Sequence, residues 1–318
     1  MNERAVVAER SARQEFASLV SIIEVPLLNE NYWAKLPGVA ADGIMLDLED
    51  SVTPAAKHAA RGRASEVLGD MPYFGGRRVI VRCNNLGSPW GREDLEALGT
   101  VAADILISYP KVESREELDE VARILEAAGH PHRLHVMIET ARALIELDRI
   151  ASHPAVVGLH FGYVDLAADI GSRPFDENGE MSALTQAYAR SKIATAAAAY
   201  GLFVSGGSLI PEYKNVAKVR AHVKSWADLG YTACIAVSPS HLPIVNELMR
   251  PTGAEAERAR RIVTAYDEAT AQGDPAAVLD GKVITLPDYK VAALTLGRAP
   301  DNAEQAEQRG WPSYVKDL

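Results

Sequence analysis

Residues 43–49 read GIMLDLE, a short run that is apolar almost throughout, carries Asp47 inside it and closes on Glu49, with Asp50 next. Such a run suits a strand covered on both faces whose carboxyl end opens onto something polar. Seven more runs of this kind occur, at 20–25 (VSIIEV), 79–84 (VIVRCN), 104–112 (DILISYPKV), 134–140 (LHVMIET), 156–162 (VVGLHFG), 202–206 (LFVSG) and 233–239 (ACIAVSP). Stretches with helix punctuation separate them: Thr53-Pro54 opens one, Ser114 and Glu117 stand at capping-box spacing in another, and Gly230 closes a third. Eight strand–helix units over about 250 residues predict a closed parallel (β/α)₈ TIM barrel. An open doubly wound sheet is the rival, but neither GxGxxG nor GxxxxGK[ST] occurs to supply its phosphate turn.

The alternation stops near residue 250. Residues 251–253 break the chain, 254–271 read as one polar, charged helix, and a turn, a short amphipathic piece at 288–296 and a polar tail follow. The chain therefore divides into a barrel domain, 1–250, and a C-terminal extension, 251–318, too small for an independent core and expected to serve as a lid or subunit contact.

Of the 318 residues, 47% are hydrophobic and 24% charged, enough for a large buried core. Lys and Arg number 33 against 43 Asp and Glu, a formal charge of −10 that argues against nucleic acid or an anionic membrane as partner and leaves small-molecule chemistry. Cys83 and Cys234 cannot build a disulfide framework and have no metal-ligand spacing. The charged N-terminus has no apolar signal core, and no stretch approaches the roughly 18 apolar residues of a membrane span. A cytoplasmic location is the expectation.

In a barrel of this kind the site lies at the carboxyl ends of the strands. Those ends are rich in ions: Asp47, Glu49 and Asp50; Arg82 and Asn84; Lys111 and Glu113; Glu139; then Asp165 and Asp169. Charges so placed need partners, a ligand or a wet pocket. Glu139 and Asp165 follow consecutive strands, and two carboxylates converging from neighbouring strands make an open oxygen site for Mg²⁺, or Mn²⁺, with room for water and substrate oxygens. The bland alternative pairs them with Arg142 or Lys111. Arg82 can grip a carboxylate or a developing oxyanion with its guanidinium fork, held from behind by Asp47 or Glu49. Lys57 lies near a helix start where an anion could bind, though a solvated face would serve it equally. A Schiff base at Lys111 ranks behind the metal reading, His160 reads as a hydrogen-bonded barrel residue, and without HExxH a zinc site has little support.

Taken in order, DLEDSV (47–52) followed by Lys57 and Arg61, VRCN (81–84), PKVE (110–113), IET (138–140) and FGYVDLAADIG (161–171) resemble the HpcH/HpaI aldolase and citrate lyase β-subunit family over nearly the whole chain. The resemblance implies a TIM barrel that assembles as a homotrimer or homohexamer, binds Mg²⁺ and breaks or forms a carbon–carbon bond in a 3-hydroxyacyl thioester such as citryl-, malyl- or citramalyl-CoA. It implies metal ligands at Glu139 and Asp165, a substrate-gripping arginine at Arg82 and a carboxylate beside it at Glu49. Catalytic roles are therefore expected of Arg82 and Glu49, and substrate binding of Arg82, Lys57, Asp47 and Gly162.

Three departures qualify the match. The family's RSxLxVP has Val20 in place of its arginine, its IHPxQ has Ser238 in place of its histidine, and its DGKMIDxP reads DGKVITLP, with Thr285 where the acid/base aspartate stands. A threonine cannot act as an acid near neutral pH. The sequence thus favours a lyase with an altered substrate or proton donor. Behind it stand an aldolase of free 2-oxo acids without CoA and a non-catalytic oxo-acid-binding homologue. A thioester hydrolase ranks last, for want of a Ser-His-acid or GxSxG pattern.

Overall fold

A computed structural model describes residues 11–181 and 183–299. Within it eight parallel strands close into a barrel in sequence order: β1 (Ser21–Pro26), β2 (Gly43–Asp47), β3 (Arg78–Arg82), β4 (Leu106–Tyr109), β5 (Arg133–Ile138), β6 (Val156–Phe161), β7 (Phe203–Gly207) and β8 (Ala233–Ala236), with β8 pairing back onto β1. This is the (β/α)₈ architecture that the eight apolar runs predict.

Alternation along each strand sorts side chains between two cores. Val25, Leu46, Val81, Ile107, Val136, Leu159 and Val204 belong to the large apolar cluster shared with the surrounding helices. The alternate residues, among them Asp47, Arg82, Ser108, His135, His160 and Ser205, are buried without belonging to that cluster, and Glu24 is half-buried. The polar content of the strands is therefore concentrated in one set of positions.

At β2, β3, β4, β5 and β8 the strand stops two or three residues before the apolar run does. The polar ends leave the ladder to form the loops of the mouth. At β4 the cause is local, since Pro110 has no N–H to donate and Lys111 adopts φ 51°, the left-handed region, which costs a non-glycine residue about 1 kcal/mol. The capping box expected at Ser114 is half formed: its side chain accepts the Glu117 N–H (3.2 Å), while the Glu117 carboxylate turns instead to Asn85 Nδ2 (2.7 Å) and the Glu113 N–H (2.9 Å).

Residues 19–249 form one compact unit, and residues 11–18 with 250–299 form a second among the described residues. In the second unit, helix Gly253–Ala271 opens on a Thr252–Glu255 capping box, β9 (Ala277–Leu279) and β10 (Lys282–Ile284) make a hairpin, and helix Leu286–Gly297 follows. Asp280 and Gly281, both at positive φ, form the two-residue hairpin turn. The extension nevertheless gathers a small apolar cluster, in which the Tyr266 and Tyr289 rings lie 5.1 Å apart beside Val263 and Ile284.

Candidate active site

The β2–β3 register sets Asp47 directly beside Arg82. Asp47 Oδ1 accepts from Arg82 Nε (2.6 Å) and from the Glu49 N–H (2.9 Å), and Oδ2 accepts from the Ser51 N–H (2.8 Å). Burial would raise the Asp47 pKa, but these donors and the guanidinium charge outweigh it and hold the carboxyl below its ordinary value. On the other side Arg82 Nη2 donates to Glu24 Oε1 (2.9 Å), and Glu49 Oε2 lies 3.5 Å from Nε. Burial disfavours the Arg82 charge, yet these acids reverse the balance and push its pKa well up. Nη1 has no partner among the described residues, so part of the fork remains for an incoming anion. The expected carboxylate behind Arg82 is thus both Asp47 and Glu49. Glu24 joins them and was missed, because a single acid in VSIIEV reads as a blemish in an apolar run rather than as an inward-facing charge.

Lys57 is buried and donates to the carbonyls of Leu48 (2.8 Å) and Glu49 (2.7 Å) and to Asn84 Oδ1 (2.7 Å). Those contacts use all three ammonium protons, so in this structure Lys57 pins the 48–49 loop and has no donor left for a substrate anion. It does not lie on a solvated face either. Burial lowers its pKa against the pull of Asp47 and Glu49. Arg61 stands apart, paired with Glu93 (2.5 Å) and Asp94 (2.7 Å).

Across the mouth, Glu139 is 2% exposed and Lys111 donates its backbone N–H to Oε1 (2.7 Å). Asn85 Nδ2 fixes that strained turn by donating to the carbonyls of Pro110 (3.0 Å) and Lys111 (3.2 Å). Lys111 Nζ donates to Glu49 Oε1 and stands 4.0 Å from Asp165 Oδ1. Desolvation by burial, then the negative charges of Glu49 and Asp165, push the Glu139 pKa up to about 8 against the pull of Lys111. Burial likewise raises Glu49, although Arg82 and Lys111 oppose it. Gly162 explains how Glu139 fits: a Cβ there would come within 2.2 Å of Glu139 Oε2. Gly162 then caps the short helix Tyr163–Asp169, in whose first turn Asp165 stands. Arg142 pairs with Glu146 (3.1 Å) instead of Glu139, and Asp169 accepts the Ala141 N–H (2.7 Å) at the start of the next helix.

This region holds five carboxylates, on Glu24, Asp47, Glu49, Glu139 and Asp165, against the two cationic groups of Arg82 and Lys111 that touch them. Glu139 Oε2 accepts no hydrogen bond among the described residues. A hard divalent cation fits that donor set by charge and by chemistry. No group of three or more His, Cys, Asp or Glu side chains is gathered as a metal site among the described residues. A cation held by Glu139 and Asp165 would therefore complete its shell with water or substrate oxygens, as Mg²⁺ does readily.

A second set of polar groups, on β5, β6, β7 and the loops past β7 and β8, is linked by side-chain hydrogen bonds. Ser205 Oγ lies 2.9 Å from His160 Nδ1 and 3.0 Å from His135 Nε2. Burial lowers both imidazoles, His135 to about 3. His160 is thus the hydrogen-bonded barrel residue that the sequence suggests. Just past β7, Ser208 Oγ lies 2.7 Å from His241 Nδ1, and His241 Nε2 lies 2.7 Å from the Tyr213 carbonyl. The sequence gives no hint of this pair, whose members are 33 residues apart.

In the second unit Thr285, the N-cap of helix Leu286–Gly297, donates through N–H (2.8 Å) and Oγ1 (2.7 Å) to Asp288 in that helix's first turn, and Asp280 pairs with Arg261 (2.6 Å).

Barrel and mouth together define a TIM-barrel protein whose mouth sets a buried arginine among several carboxylates. Residues 21–239 match the family model for HpcH/HpaI aldolase/citrate lyase, and the chain belongs to that family. A (3S)-malyl-CoA thioesterase of Cereibacter sphaeroides is 33% identical over 279 residues, covering 88% of this chain and 94% of the relative. An L-malyl-CoA/β-methylmalyl-CoA lyase of the same species is 27% identical, covering 83% and 89%. Among solved structures, CitE of Mycobacterium tuberculosis, in complex with magnesium, acetoacetate and coenzyme A, superposes with a TM-score of 0.72 at 27% identity, covering 89% of this chain and 98% of its own. Of the described helices none is long and apolar enough to cross a membrane.

Proposed function

We propose that this protein is a Mg²⁺-dependent carbon–carbon lyase that cleaves a 3-hydroxyacyl thioester of the citryl-, malyl- or citramalyl-CoA kind by a retro-Claisen step. The observation that carries the reading is the surplus of acid at the mouth, with Glu139 buried, which calls for a cation where a hydroxy acid's oxygens would also bind. Glu139 and Asp165 would hold Mg²⁺, which when bound supplies Lewis-acid polarisation of the substrate oxygens. The free part of the Arg82 fork grips the substrate carboxylate, with Asp47 and Glu24 fixing its plane. Glu49, beside both Arg82 and Lys111, is the base that takes the hydroxyl proton. The carbon–carbon bond then breaks, its electrons pass to the thioester as an enolate, and an oxo acid is left. The enolate carbon takes up a proton. Thr285, engaged in capping its helix, is no donor for that step.

A second reading is thioester hydrolysis, favoured by the 33% identity to a malyl-CoA thioesterase. The two reactions differ in products. Retro-Claisen cleavage releases an oxo acid and leaves the thioester intact, whereas hydrolysis releases a free thiol and no oxo acid. Malyl-CoA and citramalyl-CoA supplied with Mg²⁺, with oxo acid and thiol measured in parallel, separate them. Oxo acid release abolished by EDTA and by Asp165→Ala is the expected result. Turnover that survives both treatments defeats the metal assignment.

A further inference from the structure

One residue touches or approaches three acids of the mouth. Lys111 donates its N–H to Glu139 Oε1 (2.7 Å), donates Nζ to Glu49, and brings the same Nζ within 4.0 Å of Asp165 Oδ1. Its backbone is held at φ 51° by the two bonds from Asn85, so the turn places N–H and ammonium independently of any preference of lysine itself. The N–H orients Glu139, and the side chain, only partly buried, sets a positive charge against the outer carboxylates. A cation chelated by Glu139 and Asp165 must then sit close to an ammonium, and like charges repel.

We propose that Lys111 is the internal counter-cation of this site: its ammonium offsets part of the surplus acid while no metal is bound and competes with the metal when one arrives, holding the affinity down. The inference rests on the assignment of Glu139 and Asp165 as metal ligands. Lys111 is a positioning and affinity-setting residue, and it forms no bond to substrate. Charges of +2 and +1 about 6 Å apart, screened as in water, shift a binding constant by about tenfold.

The test uses the full chain and Mn²⁺ as probe, with free Mn²⁺ read by electron paramagnetic resonance. Lys111→Met should bind Mn²⁺ about tenfold more tightly than the parent, and Lys111→Arg, which keeps the charge, within about twofold of it. Unchanged or weaker binding by Lys111→Met overturns the proposal. Lys111→Gln is the second neutral variant, with thermal melting recorded in EDTA and in Mn²⁺. Neutral variants that melt early in EDTA and regain parental melting in Mn²⁺ support the proposal, and variants unfolded in both conditions overturn it. If the parent and Asp165→Ala are alike in binding no Mn²⁺ at millimolar supply, the ligand assignment itself fails and this inference falls with it.

Discussion

Two sets of polar groups in the barrel meet their needs in opposite ways. From β2 to the helix after β6, the interior collects ions that do not balance, with Glu49 and Glu139 shifted toward their neutral forms by burial. In the other set, Ser205 of β7 links His135 of β5 to His160 of β6, and Ser208 meets His241, so that each group has a hydrogen-bonding partner. A satisfied network stabilises what is already there. An unbalanced one keeps its cost until something of the opposite charge arrives. The contrast is what favours the first set as the place of the proposed chemistry.

The hardest blow to that contrast should come from Glu139→Gln. It is expected to abolish Mn²⁺ binding at millimolar supply and with it turnover, while raising the melting temperature in EDTA because a buried carboxyl that resists ionisation is replaced by a neutral amide. The sign follows from Glu139, whose carboxyl pKa is raised to about 8. A raised carboxyl contributes stability that is full below its unfolded value of about 4.3 and is lost as pH rises through its folded value. In EDTA the parent should therefore lose melting temperature between about pH 5 and 8, and the variant should lose less. Identical pH profiles would show that Glu139 is not the strained acid.

Arg82→Lys keeps the charge but not the fork, and should lower kcat/KM by about 10²–10³ with the fold intact by circular dichroism. Gly162→Ala puts a Cβ within 2.2 Å of Glu139 Oε2 and should displace that side chain. The expected cost is about 10–100-fold in metal affinity, read by Mn²⁺ titration. A milder test varies pH alone. Proton and metal compete for Glu139, so apparent Mn²⁺ affinity should climb toward pH 8 and flatten above it.

The smallest effect on turnover is expected from Ser208→Ala. It should lower stability by about 1–3 kcal/mol, because the Val237 N–H and His241 lose their partner, and change turnover by less than about twofold. A hundredfold loss of thiol release would instead give the Ser208–His241 pair a hydrolytic role and erase the distinction between the two sets.

The strands were legible because burial on both faces demands apolar runs, and the metal candidates were legible because acids at the ends of such runs are rare without a reason. Lys57 was half legible. Its sequence position marks a helix start near the mouth, but only the folded loop shows its three protons going to Leu48, Glu49 and Asn84. Glu24 was hidden because a strand's inward and outward positions cannot be told apart when both are buried.

By itself the sequence determined the number and order of strand–helix units and the family, since periodicity and motif order are properties of the chain read in one dimension. The tertiary structure decided the charge balance of the mouth, the strained turn that points the Lys111 N–H at Glu139, and the closeness of Gly162 to that carboxylate. Electrostatic energy depends on distances between groups that lie 28 to 62 residues apart in sequence, and only barrel closure sets those distances.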